Sequence, residues 1–131
     1  MEDAKKHLAH VTLVVKDYDE AILFYTQKLG FLLIDDIDLG NGKRWVLVAP
    51  KNSQASILLG KADGEKQKAA IGNQTGGRVF LFLHTNDFWK DYQSMKEKDI
   101  VFKETPREED YGTVVVFEDL YGNLWDLLQL K

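Results

Sequence analysis

Two stretches of the chain carry the same order of apolar and polar positions. "HVTLVVKDYDEAILFY" and "FLFLHTNDFWKDYQSM" each run from an aliphatic strand through an acidic turn into an amphipathic helix. An offset of 70 places Asp17-Tyr18 on Asp87-Phe88 and His10 on Phe80. In the first helix Tyr18, Ile22, Tyr25 and Leu29 make one apolar stripe. Asp17 and Glu20 stand at capping-box spacing, and Gly30 sits where a helix can end in the left-handed conformation. In the second helix Phe88, Tyr92 and Met95 form the stripe, with Asn86 or Asp87 as the cap.

Three strand-like runs follow each helix. In the first half they are "FLLIDDI", "RWVLVAP" and "ASILLG", with "LGNGK" as the turn between the first two. In the second they are "IVFKE", "GTVVVFE" and "NLWDLLQL", the last two joined by "DLYGN". The pattern predicts an α+β chain built as βαβββ twice, with modules near residues 7–60 and 77–131 and a polar segment at 61–76. A segment of that length is either a plain linker or part of a binding site.

Along "RVFLFLH" the alternation puts Val79, Leu81 and Leu83 on one face and Phe80, Phe82 and His84 on the other. One face packs on the helices. The other needs cover from the matching half or from another copy of the chain. Two curved mixed sheets forming a half-barrel around a cleft are therefore predicted, with His10, Phe80, Phe82, His84 and the inward face of the last strand at the cleft. Asp126, among apolar neighbours in "LWDLL", needs a polar partner there, and His10 is the natural one.

Composition narrows the chemistry. The 131 residues include 17 Lys and Arg against 21 Asp and Glu, a formal charge of −4 without long runs of one sign, so a nucleic-acid partner is not expected. There is no cysteine, so any metal must be held by His and carboxylate. No apolar run approaches a membrane span or a signal peptide, and a cytoplasmic protein without membrane partners is expected. Arg44 and Arg107 read as solvated surface charges. Asn73 and Gln74, in "IGNQTGG", are loop polars that would hydrogen-bond a ligand only if the loop folds over the cleft.

The duplicated βαβββ unit, the His on the first strand, "FYTQKLGF" and the closing "EDLYGNLWDLL" resemble the vicinal oxygen chelate superfamily of glyoxalases, bleomycin-resistance proteins and dioxygenases. The resemblance spans nearly the whole chain and implies one domain over 1–131, a homodimer and a small-molecule ligand. In metal-dependent relatives, His and Glu from up to four strands hold one divalent ion (Zn, Ni, Fe or Mn) for lyase or dioxygenase chemistry. Carried over by position, His10 matches one ligand and Asp126 stands where Glu is usual. The position near Ser56 or Leu58 and the position at Phe80 lack ligand atoms. The resemblance thus implies either an enzyme with metal ligands His10 and Asp126, or a metal-free binder that sequesters its ligand. In either case Phe80, Phe82, His84 and Gln74 are the candidate substrate-binding residues.

Overall fold

A computed structural model describes residues 4–131. The chain divides into two compact units, one ending at Lys61 and one running from Ala62 to Lys131. In the first, β1 (His10–Val15), α1 (Tyr18–Leu23), β2 (Leu32–Gly40), β3 (Lys43–Ala49) and β4 (Ser56–Lys61) follow one another. In the second, α2 (Gly64–Ala70) precedes β5 (Val79–His84), α3 (Phe88–Glu97), β6 (Arg107–Glu109), β7 (Gly112–Glu118) and β8 (Leu124–Leu130). The sheets have orders β1-β4-β3-β2 and β5-β8-β7-β6, with the first pair of each parallel and the rest antiparallel. Each half therefore repeats one βαβββ topology in a four-stranded mixed sheet, and neither sheet closes on itself.

The first unit is built as the apolar pattern requires. Leu13, Val15, Val46, Val48, Ile57 and Leu59 are buried on one face of the sheet, together with Tyr18 and Ala21 of α1. The Asp17 carboxylate accepts from the Glu20 amide at 2.8 Å, satisfying one of the free donors of the first helical turn. After Leu23 the helix widens into a π-helical turn, Phe24–Lys28, where the Leu29 amide reaches back to the Phe24 carbonyl. That extra residue per turn buries Phe24 and Tyr25 together, whereas the regular stripe had Tyr25 and Leu29. Gly30, at φ 72°, then reverses the chain. Asn41 and Gly42, at φ 57° and 78°, close the β2–β3 hairpin.

In the second unit α3 packs on β8, and its start is held from outside the helix. The Phe88 amide donates to Gln129 Oε1 at 2.8 Å and the Asp87 amide to Thr85 Oγ1 at 3.0 Å. Asp87 is the cap residue, but its own side chain makes no capping bond. Rings of Phe88, Tyr92, Phe102, Phe117 and Trp125 follow one another at centroid distances of 4.7–6.4 Å. The run "IVFKE" does not form the strand expected of it. Phe102 makes a single bridge to Phe117, and pairing with β7 resumes only at Arg107. Residues 62–76 belong to the second unit, and the helix α2 lies within them.

The turn between β7 and β8 is a small polar knot. Asp119 and Asn123 are 5% and 3% exposed, the buried polar pair among the described residues. Asp119 Oδ1 accepts from the amides of Tyr121 and Asn123, each at 3.0 Å, and Oδ2 accepts from Asn123 Nδ2 at 3.1 Å. Gly72, at φ 75°, lies so close that a Cβ there would stand 2.0 Å from the Tyr121 carbonyl oxygen. Only glycine fits. Asp119→Ala strands two amides in a buried turn and is expected to lower unfolding free energy by about 3 kcal/mol in urea titrations. Asp38→Ala, which frees one exposed amide at Gly40, is expected to cost less than about 1 kcal/mol. Equal losses for the two variants would contradict this account.

Candidate functional site

The candidate site of the second unit grows out of the alternation along β8. Gln129 caps α3, so Trp125, Leu127 and Gln129 look toward that helix, and Leu124, Asp126 and Leu128 look away from it. Register extends that second face. Phe82 is the direct partner of Asp126, His84 of Leu128, Val116 of Asp126 on the other side, and Arg107 of Val114. The face thus carries two buried aliphatic residues, Val114 and Leu128, and an aromatic ring, Phe82, that is 61% exposed. That arrangement sets an exposed phenylalanine beside a carboxyl group.

Asp126 is the chemical centre of this face. Its Oδ1 is buried and has no hydrogen-bond partner among the described residues. Burial pushes its pKa up from the ordinary aspartate value; the Arg107 guanidinium pulls it back and the Glu104 carboxylate pushes it further up. Arg107 does not cancel the carboxyl because it is already held: its Nε donates to Glu104 Oε2 at 3.0 Å, and Nη1 lies 3.5 Å from Glu109. The same Glu104 oxygen accepts from the Val116 amide at 3.2 Å, which fixes it over β7. Arg107 is therefore a paired residue and not the solvated charge that its place in "PREEDYG" suggests.

The other expected site residues fall in different surroundings. The β5–β8 register slips by one residue between Val79 and Leu81, which breaks the simple alternation at Phe80. The Phe80 ring packs edge-on against Trp125, with centroids 6.3 Å apart. Gln74 is tied down by its backbone, whose amide donates to Asn123 Oδ1 at 3.3 Å. His10 belongs to the first unit and Asp126 to the second. His10 stands opposite Ser56 across the parallel β1–β4 pair, and its Nδ1 lies 2.7 Å from Ser56 Oγ. The Trp45 ring meets the imidazole edge-on, with centroids 5.7 Å apart.

These donors do not fit a catalytic divalent ion. Such an ion takes at least three protein ligands, and the residue facing His10 across the strands is a serine, hydrogen-bonded to the imidazole. Leu58 faces Thr12, and neither offers a ligand of the needed kind. Among the described residues no three His, Cys, Asp or Glu side chains gather to hold a metal.

Arg44 is the second arginine with unexpected partners. It grips Asp36 through two nitrogens at 3.1 and 2.7 Å, reaches Asp19 at 2.9 Å and lies over the Tyr18 ring. Its hydrogen bond holds the Asp36 carboxyl below the usual range. This cluster ties β2 and β3 to α1 within the first unit.

The comparisons with known proteins agree with this architecture. The model of the Glyoxalase/Bleomycin resistance protein/Dioxygenase superfamily matches residues 7–127. An uncharacterized protein of Shewanella frigidimarina (strain NCIMB 400) is 58% identical over 129 residues, covering 97% of this chain and 96% of that one. Among solved structures, UcmS2 is similar at TM-score 0.83 and 30% identity, covering 95% of this chain and 98% of that one. TnmS3, an antibiotic binding protein from Streptomyces sp. CB03234, is similar at TM-score 0.79 and 27% identity, covering 99% and 100%.

The raised pKa of Asp126 has a signed consequence. Above the ordinary aspartate range the unfolded chain has lost this proton while the folded chain still holds it. The group's contribution to stability therefore falls as pH rises toward the folded-state value. Asp126→Asn is expected to be more stable than the parent in urea at pH 7, with the difference shrinking by about pH 3, below the ordinary aspartate value. A parent at least as stable as the variant at pH 7 would show that Asp126 gains more from Arg107 than burial costs it.

Proposed function

The chain belongs to the Glyoxalase/Bleomycin resistance protein/Dioxygenase superfamily, and we propose that within it this protein is a metal-free binder of a small aromatic molecule. The observation that carries the reading is the register pairing of exposed Phe82 with Asp126, which joins an aromatic ring to an unsatisfied carboxyl on one sheet face. The ring supplies a stacking surface and the carboxyl an orienting polar group, the combination that small-molecule sites use. His84, on the same face, borders that surface, while Phe80 supports it from behind through Trp125. Gln74, in a loop held to the β7–β8 turn, is the remaining candidate contact of this reading. The similarity to TnmS3, described as an antibiotic binding protein, supports sequestration as the activity.

In this reading His10 is a structural residue that pins the start of β1 to β4 through Ser56. The protein works as a homodimer. The edge strand β2 supports this, since Leu32, Leu33, Ile34, Ile37 and Leu39 are each 44–53% exposed along it. An uncovered apolar edge of this kind is a liability unless another chain covers it. No helix among the described residues is long and apolar enough to cross a membrane. A cytoplasmic location without a nucleic-acid partner belongs to the same proposal.

The metal-dependent alternative, with His10 and Asp126 as ligands for lyase or dioxygenase chemistry, makes an opposite forecast about metal. Protein purified without chelator is expected to carry far less than one equivalent of Zn, Ni, Fe or Mn by elemental analysis. His10→Ala is expected to leave that content unchanged and to cost about 1 kcal/mol or less, the worth of one exposed hydrogen bond. One equivalent of metal in the parent, lost in the variant, would overturn the metal-free reading. Light scattering at micromolar concentration should give the dimer mass; a strict monomer would remove that part of the proposal.

A further inference from the structure

The face around Asp126 carries more negative than positive charge, and its cations are already taken. Four carboxylates, Glu104, Glu109, Glu118 and Asp126, stand beside two cations, Lys103 and Arg107. Lys103 Nζ lies 3.1 Å from Glu118, and Arg107 is engaged by Glu104 and Glu109. An anionic ligand would have to displace one of these carboxylates. A neutral ligand would leave the excess charge unanswered. A cation complements both the Asp126 carboxyl, whose buried Oδ1 has no hydrogen-bond partner among the described residues, and the π-face of the exposed Phe82 ring, which attracts positive charge.

We infer that the ligand bound beside Phe82 and Asp126 is an aromatic molecule bearing a basic amine, with its ammonium on the Asp126 carboxylate. The inference rests on the small-molecule reading above and adds the ligand's charge class. Asp126 is then the specificity-determining residue and Phe82 the shared stacking platform. Glu104 and Glu109 act indirectly, by keeping the Arg107 guanidinium from pairing with Asp126 or with an acidic ligand. His84, a further titratable group on this face, pairs in register with Leu128, two residues beyond Asp126.

Three matched probes test the inference by calorimetry at pH 7.5 and low salt: 2-(1-naphthyl)ethylamine, 2-(1-naphthyl)ethanol and 1-naphthylacetate. The amine is expected to bind about ten-fold or more tighter than the alcohol, with the acetate weakest, the size of one charge-assisted contact. Asp126→Asn should reduce the amine's advantage over the alcohol to about two-fold, and its urea unfolding should stay as cooperative as the parent's. That second measurement separates lost recognition from a damaged fold. If the acetate binds best, or if the amine keeps its advantage in the variant, the inference is overturned while small-molecule binding stands. Should none of the three bind, the small-molecule reading and the inference fall together.

Discussion

The register of β8 is the constraint on which the second unit depends. Side chains along Leu124–Leu130 alternate between a helix-facing set, Trp125, Leu127 and Gln129, and an outward set that includes Asp126. A slip of one residue would drive the carboxyl of Asp126 into the aromatic core and expose Trp125, so it is strongly penalised. The Asp119–Asn123 knot sets where the strand begins, because its hydrogen bonds fix the turn just before Leu124. From that starting point follow the pairing of Asp126 with Phe82, the capping of α3 by Gln129, and the ring stack from Trp125 through Phe117.

The candidate site is thus a by-product of strand geometry. A parallel β5 beside β8 brings Phe82 opposite Asp126, and an antiparallel β7 carries β6, with Arg107, onto the same face. Glu104 is positioned by the Val116 amide and in turn occupies Arg107. The carboxyl at the centre is left with burial as its largest influence. Polar groups in that condition are common where a protein meets a ligand, since a donor arriving from outside relieves what the fold leaves unsatisfied.

Periodicity makes the architecture legible in the sequence. Apolar stripes four and three residues apart mark the helices, period-two runs mark the strands, and the repeat offset of 70 joins β1 to β5 and α1 to α3. The same alternation groups Phe80, Phe82 and His84 with the inward side of the last strand; the register sets Phe82 and His84 opposite Asp126 and Leu128, while the slip at Phe80 leaves that ring against Trp125. What stayed hidden depends on contacts between elements. The π-helical turn after Leu23 and the slip at Phe80 are hydrogen-bond events that side-chain pattern does not encode. Arg44 looked solvated because Asp19 and Asp36 lie on other elements; Arg107 looked so although Glu104 is three residues away, a spacing that was a usable signal. The "IVFKE" run has strand composition, yet it meets β7 only at the Phe102–Phe117 bridge, through backbone bonds of Val101 and Lys103, before the chain crosses to β6. Asp119 and Asn123 were visible in "EDLYGNLWDLL" as part of a resemblance, but their burial was not.

In the proposed function a small molecule seats on the β5–β8 face beside Phe82 and Asp126. Amide chemical-shift mapping of the uniformly labelled protein with 2-(1-naphthyl)ethylamine tests it most directly. The largest perturbations should fall on β5 and β8 around Phe82, His84 and Asp126, and should vanish in Phe82→Ala. Perturbations centred on another exposed ring, such as Trp89 of α3, would place the ligand elsewhere and contradict the claim.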